Sequence, residues 1–159
     1  MYDVLKVNNL DGSSIVISLW GGQLLSWKSK GEEIFYLSKQ AKADGKSPIR
    51  GGVPICFPQF SNFGNILKHG FARQVLWNVD KVLEGKNSKI VLSLIENEES
   101  LTIFPYKFKL SLTIQFNSTN LTMSLGLQNC DENPFEFNCG LHPYFLCNLD
   151  NACVLGLKN

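Results

Sequence analysis

Short apolar runs of strand length, separated by turn-forming residues, divide this chain from end to end. One run ends at the pair Gly21 and Gly22, and Asn117 to Asn120 separates two runs in which apolar and polar side chains alternate. This spacing predicts β-strands, and the second break predicts a hairpin. The predicted strands cover 14–20, 23–28, 33–37, 75–82, 89–95, 108–116, 121–127 and 135–139. Because no amphipathic helix longer than about two turns is present, the chain is predicted to be all-β, as a sandwich or a barrel.

Chain length and charge limit the classes of function. The 159 residues fit one domain, assigned to 1–159, and the formal net charge is +1. So small a charge creates no broad field to attract nucleic acid or an anionic membrane. No apolar stretch approaches the ~18 residues of a spanning helix, and no basic region followed by an apolar run begins the chain. We therefore predict no nucleic-acid partner, no membrane association and no signal peptide.

The cysteines indicate a reducing compartment. Cys56, Cys130, Cys139, Cys147 and Cys153 are odd in number and form no Cys-x-x-Cys pair. Reduced thiols of this kind are typical of cytosolic proteins. The predicted location is therefore the cytoplasm.

The segment 48–71 is rich in Gly, Pro and Phe, and no long regular element is expected there. Prolines at 48, 54 and 58 and glycines at 51, 52, 64 and 70 interrupt it. Binding and catalytic residues concentrate on loops that a rigid scaffold positions. We therefore expect part of the functional site in this segment.

The chain has two histidines, and imidazole is the side chain best suited to proton transfer near neutral pH. His69 is followed by Gly70, which lets the backbone approach a ligand, and by Arg73, a forked donor for a carboxylate, phosphate or sugar hydroxyl. His142 lies in Leu-His-Pro-Tyr-Phe at 141–145, whose aromatic pair could form a wall on which a sugar stacks. Imidazoles bonded to neighbouring groups, and an aromatic pair inside the core, are the plainer alternatives.

Arg50, Gly51 and Gly52 are a second candidate for anion binding. The arginine is a bidentate donor, and the backbone amides of a glycine pair can approach a phosphate closely. A tight turn with an exposed arginine explains the same three residues equally well.

Three motifs taken together resemble the aldose 1-epimerase superfamily. They are Arg-Gly-Gly-Val-Pro-Ile-Cys-Phe-Pro at 50–58, His-Gly-Phe-Ala-Arg at 69–73 with Trp77 after it, and Leu-His-Pro-Tyr-Phe at 141–145. Smaller matches are Phe-Pro-Tyr-Lys-Phe at 104–108 and the stretch 129–135. Within the superfamily, the order and spacing over nearly the whole chain are most similar to the hexose-6-phosphate mutarotase (glucose-6-phosphate 1-epimerase) branch.

The resemblance implies a large antiparallel β-sandwich of the galactose mutarotase type and an isomerase that interconverts the α and β anomers of a sugar. In that family a carboxylate base removes the proton of the anomeric hydroxyl while a histidine protonates the ring oxygen, and no metal or organic cofactor takes part. By motif position, His142 corresponds to the acid and His69 to a second histidine at the ring oxygen. Arg73 and Arg50 fall where this branch binds substrate and phosphate, and Gly51 is grouped with them as a substrate-binding candidate.

The resemblance also predicts that the chain is shortened at its C-terminus and contains only the N-terminal portion of the sandwich, an incomplete domain. The family's catalytic base is a glutamate in the C-terminal part, with a substrate-binding aspartate before it. After His142 the sole acidic residue is Asp150, and no position matches the base. Since a general base typically contributes ~10²–10⁴-fold to the rate, activity of this chain is expected to be impaired.

Two alternatives to catalysis use the same residues. One is a non-catalytic sugar-phosphate-binding module that retains Arg50 and Arg73. The other is a metal site of His69, His142 and cysteines such as Cys56 or Cys139. It is disfavoured because zinc ligands usually occur in close pairs, whereas the two histidines are far apart in sequence and no cysteines pair. Besides a small hexose phosphate, exposed strand edges predict a protein partner, either a complementing C-terminal chain or a second copy.

Overall fold

The computed structural model describes residues 3–42 and 44–156, and it is built almost entirely of β-strands. The strands are β1 (Val4–Asn8), β2 (Ser14–Ser18), β3 (Gln23–Ser29), β4 (Glu32–Glu33), β5 (Ile55–Cys56), β6 (Asn78–Leu83), β7 (Ser88–Ile95), β8 (Phe108–Phe116), β9 (Leu121–Asn129) and β10 (Gly140–Leu141). One short helix, α1 (Glu98–Ile103), and two 3-10 turns (Ala72–Gln74 and Leu149–Asn151) accompany them. The predicted all-β class is confirmed.

Two four-stranded antiparallel sheets form the body of the molecule. The first has the order β1-β2-β3-β4 and the second the order β6-β7-β8-β9, while β5 and β10 form a separate antiparallel pair. Strands that are consecutive in sequence are therefore neighbours in each sheet, as in a meander. β1 and β4 are the edges of the first sheet, and β6 and β9 are the edges of the second.

The predicted hairpin around Asn117 joins β8 to β9. Its register runs without a shift from Phe108 opposite Asn129 to Phe116 opposite Leu121. The Asn117 side chain accepts hydrogen bonds from the backbone N–H groups of Thr119 and Asn120, at 2.8 Å each. An asparagine that satisfies the turn in this way favours a tight connection.

One apolar core contains side chains from both four-stranded sheets. Ile15 and Ile17 of β2, and Leu92 and Leu112 of the second sheet, are at most 1% exposed. Alternate residues of β8 are buried along its whole length, as expected of a strand with one face on the core. Sheets that cover a shared core face to face form a sandwich, so the sandwich alternative is confirmed over the barrel.

The predicted strand at 33–37 is wrong. β4 ends at Glu33, and beyond it Phe35 and Leu37 make only single bridges, to Phe145 and Gly51 respectively. Because these two residues bridge to different segments of the chain, no continuous ladder of hydrogen bonds forms along 33–37. The pattern of apolar residues reflects burial of Phe35, which is 4% exposed.

The predicted strand at 135–139 is also wrong, because the strand in this region is β10 and begins only at Gly140. The rings of Phe135 and Phe137 pack edge-on and tilted against Phe104 and Phe57, at centroid distances of 5.1 and 5.9 Å. The Asn138 side chain accepts a bond from the Phe60 N–H group. Aromatic packing and side-chain bonding, and not a ladder, thus hold this segment.

Two further observations concern the environment of the protein. No helix within 3–42 and 44–156 is long and apolar enough to cross a membrane. All five cysteines are free, with Cys56 buried and the other four exposed. The cytoplasmic location stays a prediction.

Candidate functional site

A two-stranded pairing brings the histidine motifs together. β5 lies inside the irregular segment 48–71, and it pairs with β10, which ends directly before His142. Backbone hydrogen bonds extend this pairing beyond the two strands. The His142 N–H donates to the Pro54 carbonyl at 3.1 Å, and the Tyr144 N–H donates to the Gly52 carbonyl at 2.9 Å. Hydrogen bonds therefore hold the segment that carries His142 against the motif at 50–58.

The two imidazole rings are in contact. The centroids of His69 and His142 are 5.7 Å apart, and the rings meet nearly at right angles, at 85°. The segment 48–71 is predicted to contain part of the site. It contributes His69, whose imidazole lies beside that of His142. Both side chains are partly exposed.

Aromatic rings enclose the histidine pair. Phe60 contacts both imidazoles, at centroid distances of 5.4 Å to His69 and 6.4 Å to His142. The Tyr144 ring stacks on His142 at 5.0 Å with an interplanar angle of 16°. Phe145, its neighbour in the predicted aromatic wall, packs on Phe35 instead, at 5.6 Å. Of that wall, only Tyr144 is beside the histidines.

Hydrogen bonds hold His69 in a defined orientation. The Ser61 N–H donates to Nδ1 of the ring at 3.1 Å, and the Cys56 Sγ lies 3.5 Å from the same nitrogen. A nitrogen that accepts from a backbone amide carries a lone pair, so the neutral ring bears its proton on Nε2. Burial lowers the pKa of His69, and the positive charges of Arg73, His142 and Lys68 lower it further.

Gly70 is required by packing inside the protein. Its φ is +66°, and a Cβ at this position would collide with the carbonyl of Phe57. The two residues form an isolated parallel bridge. The close approach that Gly70 permits within the described residues is therefore to Phe57, and an approach to a ligand stays a prediction.

Arg73 lies in the 3-10 turn Ala72–Gln74 and is half-buried. Its Nη2 donates to the carbonyl of Lys68 at 2.9 Å, whereas its Nε is buried without a hydrogen-bond partner among the described residues. Burial lowers the pKa of the Arg73 guanidinium. A partly buried cation with an unused donor is suited to take an anionic or hydroxyl ligand.

A cleft of about 730 Å³ lies against His69. Arg50, Gly51 and Arg73, the three predicted substrate-binding residues, all line it. His142 is not among its lining residues, but it contacts both His69 and Tyr144, which are. The remaining lining residues are Tyr36, Ser38, Gln40, Ala41, Lys42, Ser47, Pro48, Ile49, Pro54 and Lys68.

The cleft is strongly cationic. Lys42, Arg50, Lys68 and Arg73 line it, and no aspartate or glutamate does so in the described part of the chain. Like charges that converge on one concave surface create a local field for anions even though the net charge of the chain is close to zero. The arrangement therefore suits an anionic ligand beside two imidazoles.

Three residues of the site were not predicted from the sequence, and a fourth, Cys56, was considered only as a ligand in the disfavoured metal alternative. Lys42 and Lys68 line the cleft, Phe60 contacts both histidines, and Cys56 contacts His69. Lys68 directly precedes His69, and Cys56 lies within the 50–58 motif, so proximity in sequence could have indicated these two. Nothing in the sequence around Lys42 indicated its place. Across 3–42 and 44–156, no group of three or more His, Cys, Asp or Glu side chains could hold a metal ion.

The family model and the curated relatives that this sequence matches are both sugar 1-epimerases by name. The sequence model of the aldose 1-epimerase family matches residues 3–155. A protein of Cenchrus ciliaris named "Putative glucose-6-phosphate 1-epimerase" is 37% identical over 153 residues, which cover 89% of this chain and 46% of that protein.

Solved structures show the same fold. The crystal structure of the Slr1438 protein of Synechocystis sp. PCC 6803 superposes with a TM-score of 0.86 at 26% identity, covering 94% of this chain and 56% of that one. A structure titled as "a putative mutarotase (YeaD)" of Salmonella typhimurium superposes with a TM-score of 0.74 at 28% identity, covering 80% and 44%. The chain spans about half the length of the curated relatives it matches.

Proposed function

This chain belongs to the aldose 1-epimerase family, and from that premise we propose that its cationic cleft binds a hexose 6-phosphate and serves the interconversion of α and β anomers. The observation that supports this most is the position of the histidine pair at the side of a cleft with four cations. A hexose 6-phosphate has the two features this arrangement requires, an anionic group for the cations and an ether oxygen for an imidazole.

The phosphate is assigned to the cations of the cleft. Arg73 has an unused Nε–H donor, and Arg50 and the Gly51 backbone lie on the same cleft surface. Guanidinium groups bind phosphate through paired hydrogen bonds. Lys42 and Lys68 line the same cleft and add two further positive charges.

His142 is proposed as the general acid. It gives its proton to the ring oxygen as the bond between that oxygen and C1 breaks, while the anomeric hydroxyl loses its proton to a base and C1 becomes an aldehyde carbon. Rotation about C1–C2 and reclosure with the reverse proton movements produce the other anomer. His69 donates from Nε2 to the same oxygen and stabilises the developing charge. Proton transfer near neutral pH suits an imidazole.

The base is proposed to come from outside these 159 residues. No carboxylate lines the cleft among the described residues, and the curated relatives are about twice as long. Without the base, the rate contribution of ~10²–10⁴-fold that a general base supplies is lost. The alternative, a non-catalytic sugar-phosphate-binding module, shares the binding residues and differs in turnover.

Binding and exchange are measured separately to test the proposal. Titration of the protein with glucose 6-phosphate and with glucose, followed by ¹⁵N–¹H spectra, reports binding and the preference for phosphate. Exchange spectroscopy between the two anomeric proton signals of glucose 6-phosphate reports turnover. Saturable binding with faster exchange supports the epimerase, and saturable binding without faster exchange supports the binding module. Absence of phosphate-dependent binding would exclude both.

We also propose a cytoplasmic location, which the five free cysteines support, and a protein partner. β9 pairs only with β8 among the described strands and is an edge of its sheet, and Leu149, Val154 and Leu155 are more than three-quarters exposed. Unpaired edges and exposed apolar side chains favour association. Either a complementing C-terminal chain or a second copy satisfies both features. Light scattering of the protein alone distinguishes them, because a self-associating chain exceeds its monomer mass of 17.8 kDa without any added partner.

A further inference from the structure

A buried thiol that the proposed reaction does not use lies beside His69. Cys56 is 1% exposed, and its Sγ lies 3.5 Å from Nδ1 of His69, within hydrogen-bonding distance for sulfur. The Ser61 N–H shares this nitrogen at 3.1 Å. Two donor groups thus face one ring nitrogen, and nothing else among the contacts of the described residues bonds to it.

Two proton arrangements are open to a cysteine beside a histidine. In one, a thiolate faces an imidazolium whose Nδ1 carries a proton. In the other, a thiol S–H donates to the lone pair of a neutral imidazole. The Ser61 amide decides between them, because an N–H group aimed at Nδ1 would repel a second proton on that nitrogen.

Electrostatics agree with the neutral pair. Burial raises the pKa of the Cys56 thiol, although the charge of Arg73 opposes this. Burial also lowers the pKa of His69, with Arg73, His142 and Lys68 acting in the same direction. Both groups therefore favour their uncharged forms, and an S–H donor facing a lone pair is the arrangement that results.

We propose that Cys56 is a positioning residue, whose thiol, together with the Ser61 amide, keeps Nδ1 of His69 an acceptor and so presents an Nε2–H donor towards the sugar. This role rests on the proposed function, in which His69 faces the ring oxygen. It makes His69 a fixed hydrogen-bond donor and leaves proton transfer to His142. The position of Cys56 suits this task, since β5 pairs with β10 and Cys56 lies opposite Gly140, two residues before His142.

The test is the proton position on His69, which is measured without substrate. Long-range ¹H–¹⁵N spectra of the ¹⁵N-labelled chain contain two imidazoles, assigned with His142→Gln, and are followed from about pH 5 to about pH 9. We expect the neutral form of His69 to carry its proton on Nε2. Cys56→Ala removes one of the two donors that stabilise the neutral form, so the pKa of His69 should rise, while the remaining Ser61 N–H keeps the proton of the neutral ring on Nε2.

Three further variants complete the comparison. Cys56→Ser keeps a donor and should restore the wild-type spectrum, whereas Cys56→Val fills the volume without a donor and should behave like Cys56→Ala even if the latter does not fold. Cys147→Ala removes an exposed thiol and should leave both imidazoles unchanged. A wild-type spectrum with the proton on Nδ1, or donor-free variants that match the wild type, would overturn the proposal. If the tautomer is as expected but glucose 6-phosphate binds nowhere near His69, the proposed function alone fails.

Discussion

Ser61 and His69 exchange two hydrogen bonds across the loop that joins them. The Ser61 N–H donates to the imidazole Nδ1 at 3.1 Å, and the His69 N–H donates back to the Ser61 carbonyl at 3.0 Å. Both residues have left-handed backbones, with φ of +51° and +68°. Non-glycine residues in this region cost about 1–3 kcal/mol each and cluster at functional sites. The reciprocal bonds offset this cost and hold the ring beside His142.

Replacement of His142 by glutamine should remove protein-dependent anomer exchange. The amide keeps a polar side chain beside Tyr144 but has no proton to transfer near neutral pH, so the rate above buffer is expected to fall by roughly 10²–10⁴-fold. Exchange spectroscopy on glucose 6-phosphate measures this, and binding of the sugar phosphate should persist. Undiminished exchange in His142→Gln would contradict its assignment as the acid.

Replacement of Arg73 or Arg50 by alanine should weaken the binding of phosphorylated sugars more than the binding of free hexoses. Each guanidinium lines the cleft, and its loss removes paired donors for a phosphate. Truncation of one such charged hydrogen bond costs about 1.5–3 kcal/mol, which corresponds to a Kd for glucose 6-phosphate roughly 10- to 150-fold higher. Calorimetric titration with both sugars gives the ratio. Lys109→Ala, which removes one exposed positive charge from β8, is the matched control and should change neither affinity. Equal losses for both sugars would remove the phosphate role.

Gly70→Ala should destabilise the fold far more than Gly12→Ala. Both glycines have positive φ, +66° and +83°, but a Cβ at Gly70 would strike the Phe57 carbonyl whereas one at Gly12 meets open space. We expect a loss of about 3 kcal/mol or more for Gly70→Ala and about 1–2 kcal/mol for Gly12→Ala. Urea unfolding measures both, and similar losses for the two variants would contradict the close packing at Gly70.

Acid should weaken a contact that Asp11 makes between two turns, the one that joins β1 to β2 and the one that joins β8 to β9. Bonds from the Ser13 hydroxyl and N–H, and from the Ser118 N–H, lower the pKa of this carboxyl from 3.8 to about 2. Because the folded value is the lower one, the stabilisation is complete above about pH 4 and disappears as the pH falls through about 2.

Urea midpoints measured across this pH range compare wild type with Asp11→Asn. The wild type should lose more stability on acidification, since asparagine does not titrate. Ser13→Ala removes the donor with the largest effect and should give an intermediate slope. Parallel curves for all three proteins would show that Asp11 titrates alike in the folded and unfolded chains.

Local patterns were sufficient to predict much of the sandwich and the candidate residues. The alternation at 108–116 and 121–127 and the turn at Asn117 correctly predicted β8, β9 and their hairpin. Burial of every second residue leaves a period-two trace that survives in the sequence. The runs at 33–37 and 135–139 left similar traces, but their aromatic residues are buried or packed by isolated contacts, so the strands predicted there do not exist.

By itself, the sequence determined the β class, the positions of the main strands, and the two histidines and two arginines as candidates for the site. Only the tertiary structure decided that β5 pairs with β10, because strands of two residues carry no periodicity and their register depends on contacts distant in sequence. That pairing brings His142 to the segment that carries His69, while contacts within 48–71 place Cys56 against His69 and Gly70 against Phe57. Lys42 and Lys68 enter the cleft for the same reason, since the folding of the chain, and not their neighbours in sequence, brings four cations to one surface.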